Sequence, residues 1–312
     1  MMTKNIFILI GITLLLSTSC SSPTEHTTIP EPSQNPIGEF IDNWTFNVYP
    51  PSHEAFDYAA FKLWVPSDVH NVRAILVLLS YTDGSTLGEM NLEEWKTFAT
   101  NEKLALVGVD LKGADRYSKV EHGSGNALIK AIDTIAFKNN ISFVSELPML
   151  LNGFSAGAAF CSSFSYYKPE RVVAFVSIRG GSGMDSNENI HVPGLVLLAD
   201  NDIPARNQNL IKEVLQKRKE GAVHSYAMEP NTNHLGSLDD SWILARSFFS
   251  VALNKRLIVG SNELQHIPEN TGWLGDNNTN TIYSFSSYPN AKEIASWLIN
   301  ESFAKEWKIY QQ

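Results

Sequence analysis

The sequence Gly-Phe-Ser-Ala-Gly at residues 153–157 restricts the fold of this chain more than any other feature. It follows an apolar run at 147–151 that predicts a buried strand, and it precedes a stretch at 158–167 that predicts a helix. A serine at such a junction is typical of a sharp turn with strained dihedral angles, where side chains in place of the glycines would collide with the neighbouring strand and helix. The partial positive charge of the helix N-terminus favours a developing oxyanion there. Ser155 is therefore a candidate nucleophile.

Two further strands are predicted after Ser155, and the second of them leads into a pair of aspartates. The apolar runs at 172–178 and 195–199 indicate these strands, and Asp200 and Asp202 follow the second run. A carboxylate at the C-terminal edge of a parallel sheet lies where ligands gather. Both aspartates are thus candidates for the acid of a catalytic triad, although Asp200 also suits a turn or a helix N-cap.

A histidine is expected one helix and one strand later. Apolar residues recur at helical spacing within 207–219, and residues 223–228 alternate as a strand does. His234 lies in the polar turn 230–236 that follows, where an imidazole can reach the serine. The other histidines lie within a strand, before a strand or outside this region, so solvated or structurally paired roles suit them better.

Serine, aspartate and histidine together indicate nucleophilic catalysis. A serine hydroxyl is a weak nucleophile at neutral pH, so His234 would take its proton and return it to the leaving group. The acid would fix the imidazole tautomer. An oxyanion hole would need the N–H of Ala156 and a second N–H from loop 80–85, after the strand predicted at 72–79. We expect that second donor to be Tyr81. The role does not require a particular side chain in this loop, because the donor is a backbone N–H.

From about residue 43 to residue 257, the chain resembles α/β-hydrolases of the esterase or polyhydroxybutyrate-depolymerase-like kind. The serine motif, the acid turn at 199–202 and His234 carry the resemblance, in the order serine, acid, histidine. It favours Asp202 over Asp200, because many members place the acid in a Gly-x-x-Asp turn, here with Ala199 for glycine. The resemblance implies a mainly parallel, doubly wound sheet with helices on both faces and ester hydrolysis through an acyl-enzyme. Many esterases carry His-Gly where this chain has Ser-Tyr at 80–81.

The chain between nucleophile and acid is short. The region from 179 to 193 is glycine-rich and polar, whereas lipase lids are built of long amphipathic helices. We therefore predict no large cap domain and an open cleft that prefers short acyl groups or an exposed ester on a polymer. The polymer would be a polysaccharide or an extracellular polyester.

The N-terminus predicts export. An apolar run at 6–16 is too short for a membrane-spanning helix, which needs ~20 residues, and it is preceded by Lys4. Small residues at 17–19 and then Cys20 resemble a bacterial lipoprotein signal, although an ordinary cleaved signal with an incidental cysteine is the alternative. Residues 21–36 are rich in Ser, Thr and Pro, which predicts a flexible tether. The expected location is the outer membrane, on its periplasmic or outer face.

Composition limits the partners. The 312 residues are 43% hydrophobic, enough for one large core, and the net charge of −9 comes without a basic cluster, which argues against nucleic acid. No metal-spacing cluster or phosphate-binding glycine loop is visible, so we expect no cofactor and no metal. The expected partners are a small-molecule or polymer-borne ester and the membrane, through the lipid anchor.

Four segments are predicted: a signal peptide at 1–19, the lipidated cysteine and tether at 20–38, a catalytic domain at 39–258 and a C-terminal extension at 259–312. The extension has a turn-rich stretch at 272–280 and a helix-like distribution of aromatic residues at 291–307. These aromatics are expected to pack the extension onto the domain rather than to line a glycan site. Two alternative functions stay open, a serine peptidase of the same fold and a glycan-binding lipoprotein with a vestigial triad.

Overall fold

The computed structural model describes residues 38–51, 53–181 and 189–312. The predictions of a signal peptide, a lipidated Cys20 and a tether therefore concern residues almost entirely outside the described part of the chain. The strands are β1 (Gly38–Phe40), β2 (Thr45–Val48), β3 (Tyr58–Trp64), β4 (Ala74–Leu79), β5 (Leu104–Lys112), β6 (Met149–Phe154), β7 (Val172–Ile178), β8 (Gly194–Ala199), β9 (His224–Glu229), β10 (Trp273–Asp276), β11 (Thr281–Ser284) and β12 (Ser296–Leu298). The helices are α1 (Glu93–Glu102), α2 (Ser124–Lys138), α3 (Ala156–Tyr167), α4 (Pro204–Lys219), α5 (Asp239–Arg256) and α6 (Glu301–Tyr310).

A nine-stranded sheet forms the centre of the described structure. Its strand order is β1-β2-β3-β5-β4-β6-β7-β8-β9. The strands from β5 to β9 in this order run parallel, and β1, β2 and β3 form an antiparallel edge. The order reverses direction around β4, as expected when crossover helices cover first one face of a sheet and then the other.

Alternating side chains of β4 explain why helices cover both faces. Ile75, Val77 and Leu79 belong to one buried cluster, which includes apolar side chains of α2 and α3. Leu76 and Leu78 belong to a second cluster, which includes side chains of α1, α5 and α6. Successive residues of a strand point to opposite faces, so an unbroken apolar strand needs a cover on each side. Each fully buried leucine contributes ~1.5–3 kcal/mol to folding. The predicted fold, a mainly parallel sheet with helices on both faces, is confirmed.

The C-terminal region contains a small antiparallel sheet, in the order β11-β10-β12, and then α6. Trp297, Phe303 and Trp307 are fully buried in the same cluster as α5. The helix-like interpretation of residues 291–307 is wrong for its first half, because β12 pairs with β10 there. The helix α6 starts only at Glu301, where Asn300 caps it by accepting the N–H of Phe303 with its side chain. Within the described ranges, no helix is both long enough and apolar enough to span a membrane.

Parallel strand order brings three loops to one edge of the sheet. β6, β8 and β9 lie within the parallel part, so their C-terminal ends face the same way. Residue 155, residues 200–203 and residues 230–238 follow these three ends. This is the edge at which sheets of this kind bind ligands.

Candidate active site

The turn between β6 and α3 holds Ser155 in a strained conformation. Its φ is 55° and its ψ is −115°, a region that L-residues rarely adopt. A Cβ at Gly153 would lie 2.2 Å from the carbonyl oxygen of Gly157, and a Cβ at Gly157 would lie 2.4 Å from that of Ser80. The Ser155 N–H donates to the Ile178 carbonyl at 2.9 Å and fixes the turn to β7. Close backbone approach therefore requires both glycines of the motif.

His234 lies in the loop after β9, and its ring reaches the serine. Its Nε2 is 3.1 Å from Ser155 Oγ, and its Nδ1 is 2.9 Å from Asp202 Oδ2. Both distances are within the reach required of a nucleophile, a base and the group that orients the base. The ring of Phe154 packs beside the imidazole, with centroids 5.3 Å apart. The structure thus brings together the serine, histidine and aspartate that the sequence singles out.

The two candidate aspartates have different surroundings. The Asp202 carboxyl is buried and accepts the Ile203 N–H at 2.6 Å. Asp200 is exposed, and its Oδ1 accepts the N–H of Thr232 at 3.1 Å. Asp202 therefore faces the imidazole, whereas Asp200 holds the turn that leads to the histidine loop.

Hydrogen bonds keep Asp202 ionised despite its burial. Burial raises the pKa of this carboxyl, but hydrogen bonds from Arg206, His234 and the Ile203 N–H outweigh that effect and hold the pKa below its usual value. The guanidinium Nη1 of Arg206 is 2.5 Å from Asp202 Oδ1 and 2.8 Å from His234 Nδ1. Arg206 was not among the site residues predicted from the sequence, although a cation four residues after an acid at the start of a helix is a recognisable signal.

Arg179 fixes the backbone of the histidine loop. Its fully buried guanidinium donates to the carbonyls of His234, at 3.3 Å, Gly236, at 2.7 Å, and Ser237, at 2.7 Å. It also pairs with Glu229 at 2.8 Å. From the sequence, Arg179 was expected only to begin a polar loop, because carbonyl acceptors on a distant segment leave no mark in the sequence.

Gly180 is a further residue that sequence reasoning missed. A Cβ at this position would lie 2.2 Å from the carbonyl oxygen of Ser155. The glycine lets the chain after β7 pass close to the nucleophile turn. Its only signal is a Gly-Gly pair at 180–181 after a buried strand.

The two predicted oxyanion donors, Ala156 and Tyr81, are chain neighbours of two residues that share a backbone hydrogen bond. Ala156 is the first residue of α3, so its N–H has no acceptor within the helix. The Ser80 carbonyl accepts the N–H of Gly157 at 2.8 Å, which joins the loop after β4 to the first turn of α3. Tyr81 follows directly, and its carbonyl accepts the N–H of Gly84 at 2.8 Å. The structure thus places Ala156 and Tyr81 next to the nucleophile turn.

Two sequence predictions concern residues that are not described. Cys20 lies outside the described residues, and so does the 182–188 part of the predicted lid-free region. Among the residues that the structure does describe, no group of three or more His, Cys, Asp or Glu side chains is arranged to hold a metal ion.

Comparison with known proteins supports the fold. No family model and no curated protein sequence matches this chain. Among solved structures, a thermostable esterase aligns with a TM-score of 0.52 and 18% identity, over 69% of this chain and 62% of the esterase. An S-formylglutathione hydrolase from Staphylococcus aureus aligns with a TM-score of 0.48 and 13% identity, over 71% and 98% of the two chains. A poly(3-hydroxybutyrate) depolymerase from Bordetella parapertussis gives 0.48 and 12%, over 69% and 90%.

The chain has the α/β-hydrolase fold. Its candidate site is a serine, histidine and aspartate arranged on the turns of that fold.

Proposed function

We propose that this protein is a serine hydrolase that cleaves carboxylic esters through an acyl-enzyme. The observation that carries the proposal is the unbroken chain of contacts from Ser155 Oγ to His234 and from His234 to Asp202, at 3.1 and 2.9 Å. A strained turn that exposes a serine to a base is hard to explain by stability alone, since such backbone strain is itself destabilising by ~1–3 kcal/mol.

The geometry supports a two-step reaction. In the first step, Ser155 Oγ attacks the ester carbonyl carbon while His234 Nε2 takes the hydroxyl proton, and the same proton then passes to the departing alcohol oxygen. In the second step, water attacks the acyl-enzyme with His234 as its base, and Oγ is released as the free hydroxyl. Asp202 compensates the imidazolium through Nδ1. The N–H groups of Ala156 and Tyr81 would stabilise the oxyanion of both steps.

The preferred substrate is an ester with a short acyl group, or an ester exposed on a polymer. Three large apolar side chains, at the oxyanion position Tyr81 and beside Asp202 and His234, support a substrate that meets the protein at its surface. Tyr81 is 54% exposed, Ile203 beside Asp202 is 57% exposed, and Leu235 beside His234 is 80% exposed. Exposed apolar side chains around a reactive centre favour contact with the apolar parts of a substrate.

A panel of esters tests the activity and the acyl preference together. We expect a fluorophosphonate probe to label the wild-type protein and p-nitrophenyl esters to be hydrolysed, with acetate and butyrate preferred over palmitate. Ser155→Ala should abolish both signals. Ser163→Ala, a change on the same helix, is the matched control and should retain them. A rate maximum at palmitate, or turnover by Ser155→Ala, would contradict the proposal. Cleavage of peptide anilides in place of esters would assign a peptidase.

We also propose that lipidated Cys20 anchors the enzyme to the outer membrane. The short apolar run and the small residues before Cys20 support this, since acyl chains hold a protein in a bilayer through buried methylenes at ~0.8 kcal/mol each. Cys20→Ala should move the protein from the membrane fraction to the soluble fraction, and Ser21→Ala should leave it in place. A mature N-terminus mapped to a residue other than Cys20 would refute the anchor.

A further inference from the structure

One nitrogen of the triad histidine has two competing partners. His234 Nδ1 is 2.9 Å from Asp202 Oδ2 and 2.8 Å from Arg206 Nη1. The carboxylate can only accept a hydrogen bond, whereas the guanidinium can only donate one. Nδ1 carries either a proton or a lone pair, so it satisfies one partner at a time.

Each choice dictates what the other ring nitrogen does. When Nδ1 carries the proton, it donates to Asp202, and Nε2 is free to accept the proton of Ser155 Oγ at 3.1 Å. When Nδ1 accepts from Arg206, neutral imidazole must carry its proton on Nε2, and that nitrogen can no longer act as a base. The arginine therefore favours the tautomer that does not react.

The reaction adds a second conflict. Proton transfer from Ser155 gives an imidazolium with protons on both nitrogens. Arg206 would then present a guanidinium N–H to a cationic N–H at the same short distance, and the two like charges repel. The arginine must move away from Nδ1 for the imidazolium to form.

We propose that Arg206 is a positioning residue that controls the tautomer of His234 and must leave Nδ1 before the serine is activated. This inference rests on the proposed function. The Arg206 side chain is 34% exposed, so it has room to move, whereas the Asp202 side chain is 1% exposed and fixed. Asp202 keeps the N–H of Ile203 at 2.6 Å when the arginine moves, so the acid of the triad stays in place.

The other charges near the imidazole do not compete for Nδ1. Among the described residues, Arg179 contacts His234 only at its main-chain carbonyl and is paired with Glu229. Asp200 bonds to the Thr232 N–H. Arg206 is thus the cation whose removal should change the protonation behaviour of the site.

The test compares Arg206→Met with Lys212→Met. Methionine keeps an unbranched chain but removes the charge and the donors. Lys212 is exposed on the same helix, so its change removes one positive charge away from the site. We expect Arg206→Met to change the shape of the pH profile of kcat/KM and not only its height, because Asp202 is then left without its competitor for His234 Nδ1. At high pH its kcat/KM should equal or exceed that of wild type. Lys212→Met should match wild type at every pH.

A fall in kcat/KM by the same factor at every pH would overturn the proposal, because Arg206 would then only hold Asp202 in place. Nitrogen NMR of the labelled protein gives a readout without substrate, with the His234 signals identified by their loss in His234→Gln. We expect Arg206→Met to increase the Nδ1-protonated tautomer at neutral pH. An unchanged tautomer ratio would refute the inference.

The experiments distinguish a failure of the proposed function from a failure of the inference about Arg206. A wild-type protein that neither reacts with fluorophosphonate nor cleaves esters would refute the proposed function, while the NMR comparison would still measure the effect of Arg206 on His234.

Discussion

Replacing Arg179 by methionine should weaken both the fold and the active site. The guanidinium is fully buried and donates to Glu229 and to three carbonyls of the histidine loop. Without it, the Glu229 carboxylate stays buried and has no cation. It keeps hydrogen bonds from the hydroxyls of Ser241, at 3.1 Å, Tyr310, at 2.9 Å, and Thr232, at 3.2 Å. Breaking a buried pair from one side costs ~3–5 kcal/mol. That is a large part of the ~5–15 kcal/mol by which proteins are stable.

Urea denaturation measures this loss. At a slope of ~3 kcal/mol per molar, the midpoint of Arg179→Met should fall by ~1–2 M. Arg116→Met is the matched control, since Arg116 pairs with Asp57 at 2.6 Å but the two side chains are 57% and 65% exposed. Such exposed pairs contribute less than ~1 kcal/mol. In the folded fraction, kcat of Arg179→Met should fall by ~10–100-fold, because the loop that carries His234 loses three anchors and small misplacements reduce rate steeply.

The double variant Arg179→Met with Glu229→Leu sharpens the comparison. Removing both partners leaves no buried charge, so part of the stability should return even though the loop anchors are gone. A midpoint for Arg179→Met within ~0.3 M of the Arg116→Met value, on the same slope, would refute the idea that a desolvated pair supports this loop. So would a double variant as unstable as the sum of the two single changes.

Three other perturbations separate roles that the structure distinguishes. Asp202→Asn should lower kcat by ~10⁴-fold, because it favours the wrong tautomer, whereas Asp200→Asn should cost less than ~10-fold; comparable losses in steady-state assays would leave the acid unassigned. Gly157→Ala should destabilise the fold by ~1–3 kcal/mol, because the new methyl would lie 2.4 Å from a backbone carbonyl; an unchanged melting temperature would show that this approach is not tight. His224 is buried, and burial, reinforced by the cation of Arg218, lowers its pKa to about 3, below the ~6.5 of an unfolded chain. The unfolded state therefore binds the proton at a higher pH than the folded state does, and stability is lost as pH falls from 6.5 toward 3. His224→Leu should remove up to ~3 kcal/mol of that loss at about pH 4. Urea titrations at several pH values measure this, and curves of stability against pH that run parallel for the two proteins would rule it out.

Local sequence was sufficient to predict the elements and the order of the candidate site. The strand before Ser155, the helix after it and the flanking glycines all follow from nearest-neighbour constraints, because a residue in a strained turn limits what its immediate neighbours can be. An unbroken apolar run such as that of β4 likewise indicates a strand that is buried on both faces of the sheet. These features depend on a few adjacent residues, and a sequence displays adjacent residues directly.

Periodicity was less reliable in the C-terminal region. Residues 291–307 carry aromatic side chains at spacings that suit a helix, yet β12 and the start of α6 divide that segment. Trp297 is buried because its strand pairs with β10, which the local pattern does not reveal. Pairing with β10 therefore made residues 296–298 a strand, although the spacing of the aromatic side chains in 291–307 suits a helix.

The tertiary structure alone decided which charged groups reach His234. Arg206 competes with Asp202 for one nitrogen of His234 only because the start of α4 and the loop after β9 converge at the same sheet edge. Arg179 binds carbonyls, which every residue carries, so no sequence pattern marks its targets. The sequence by itself determined the identity and order of the candidate catalytic groups, because these depend on side-chain chemistry and local turns. Their protonation and alignment depend on distances of about 3 Å between segments far apart in the chain, and only folding sets those distances.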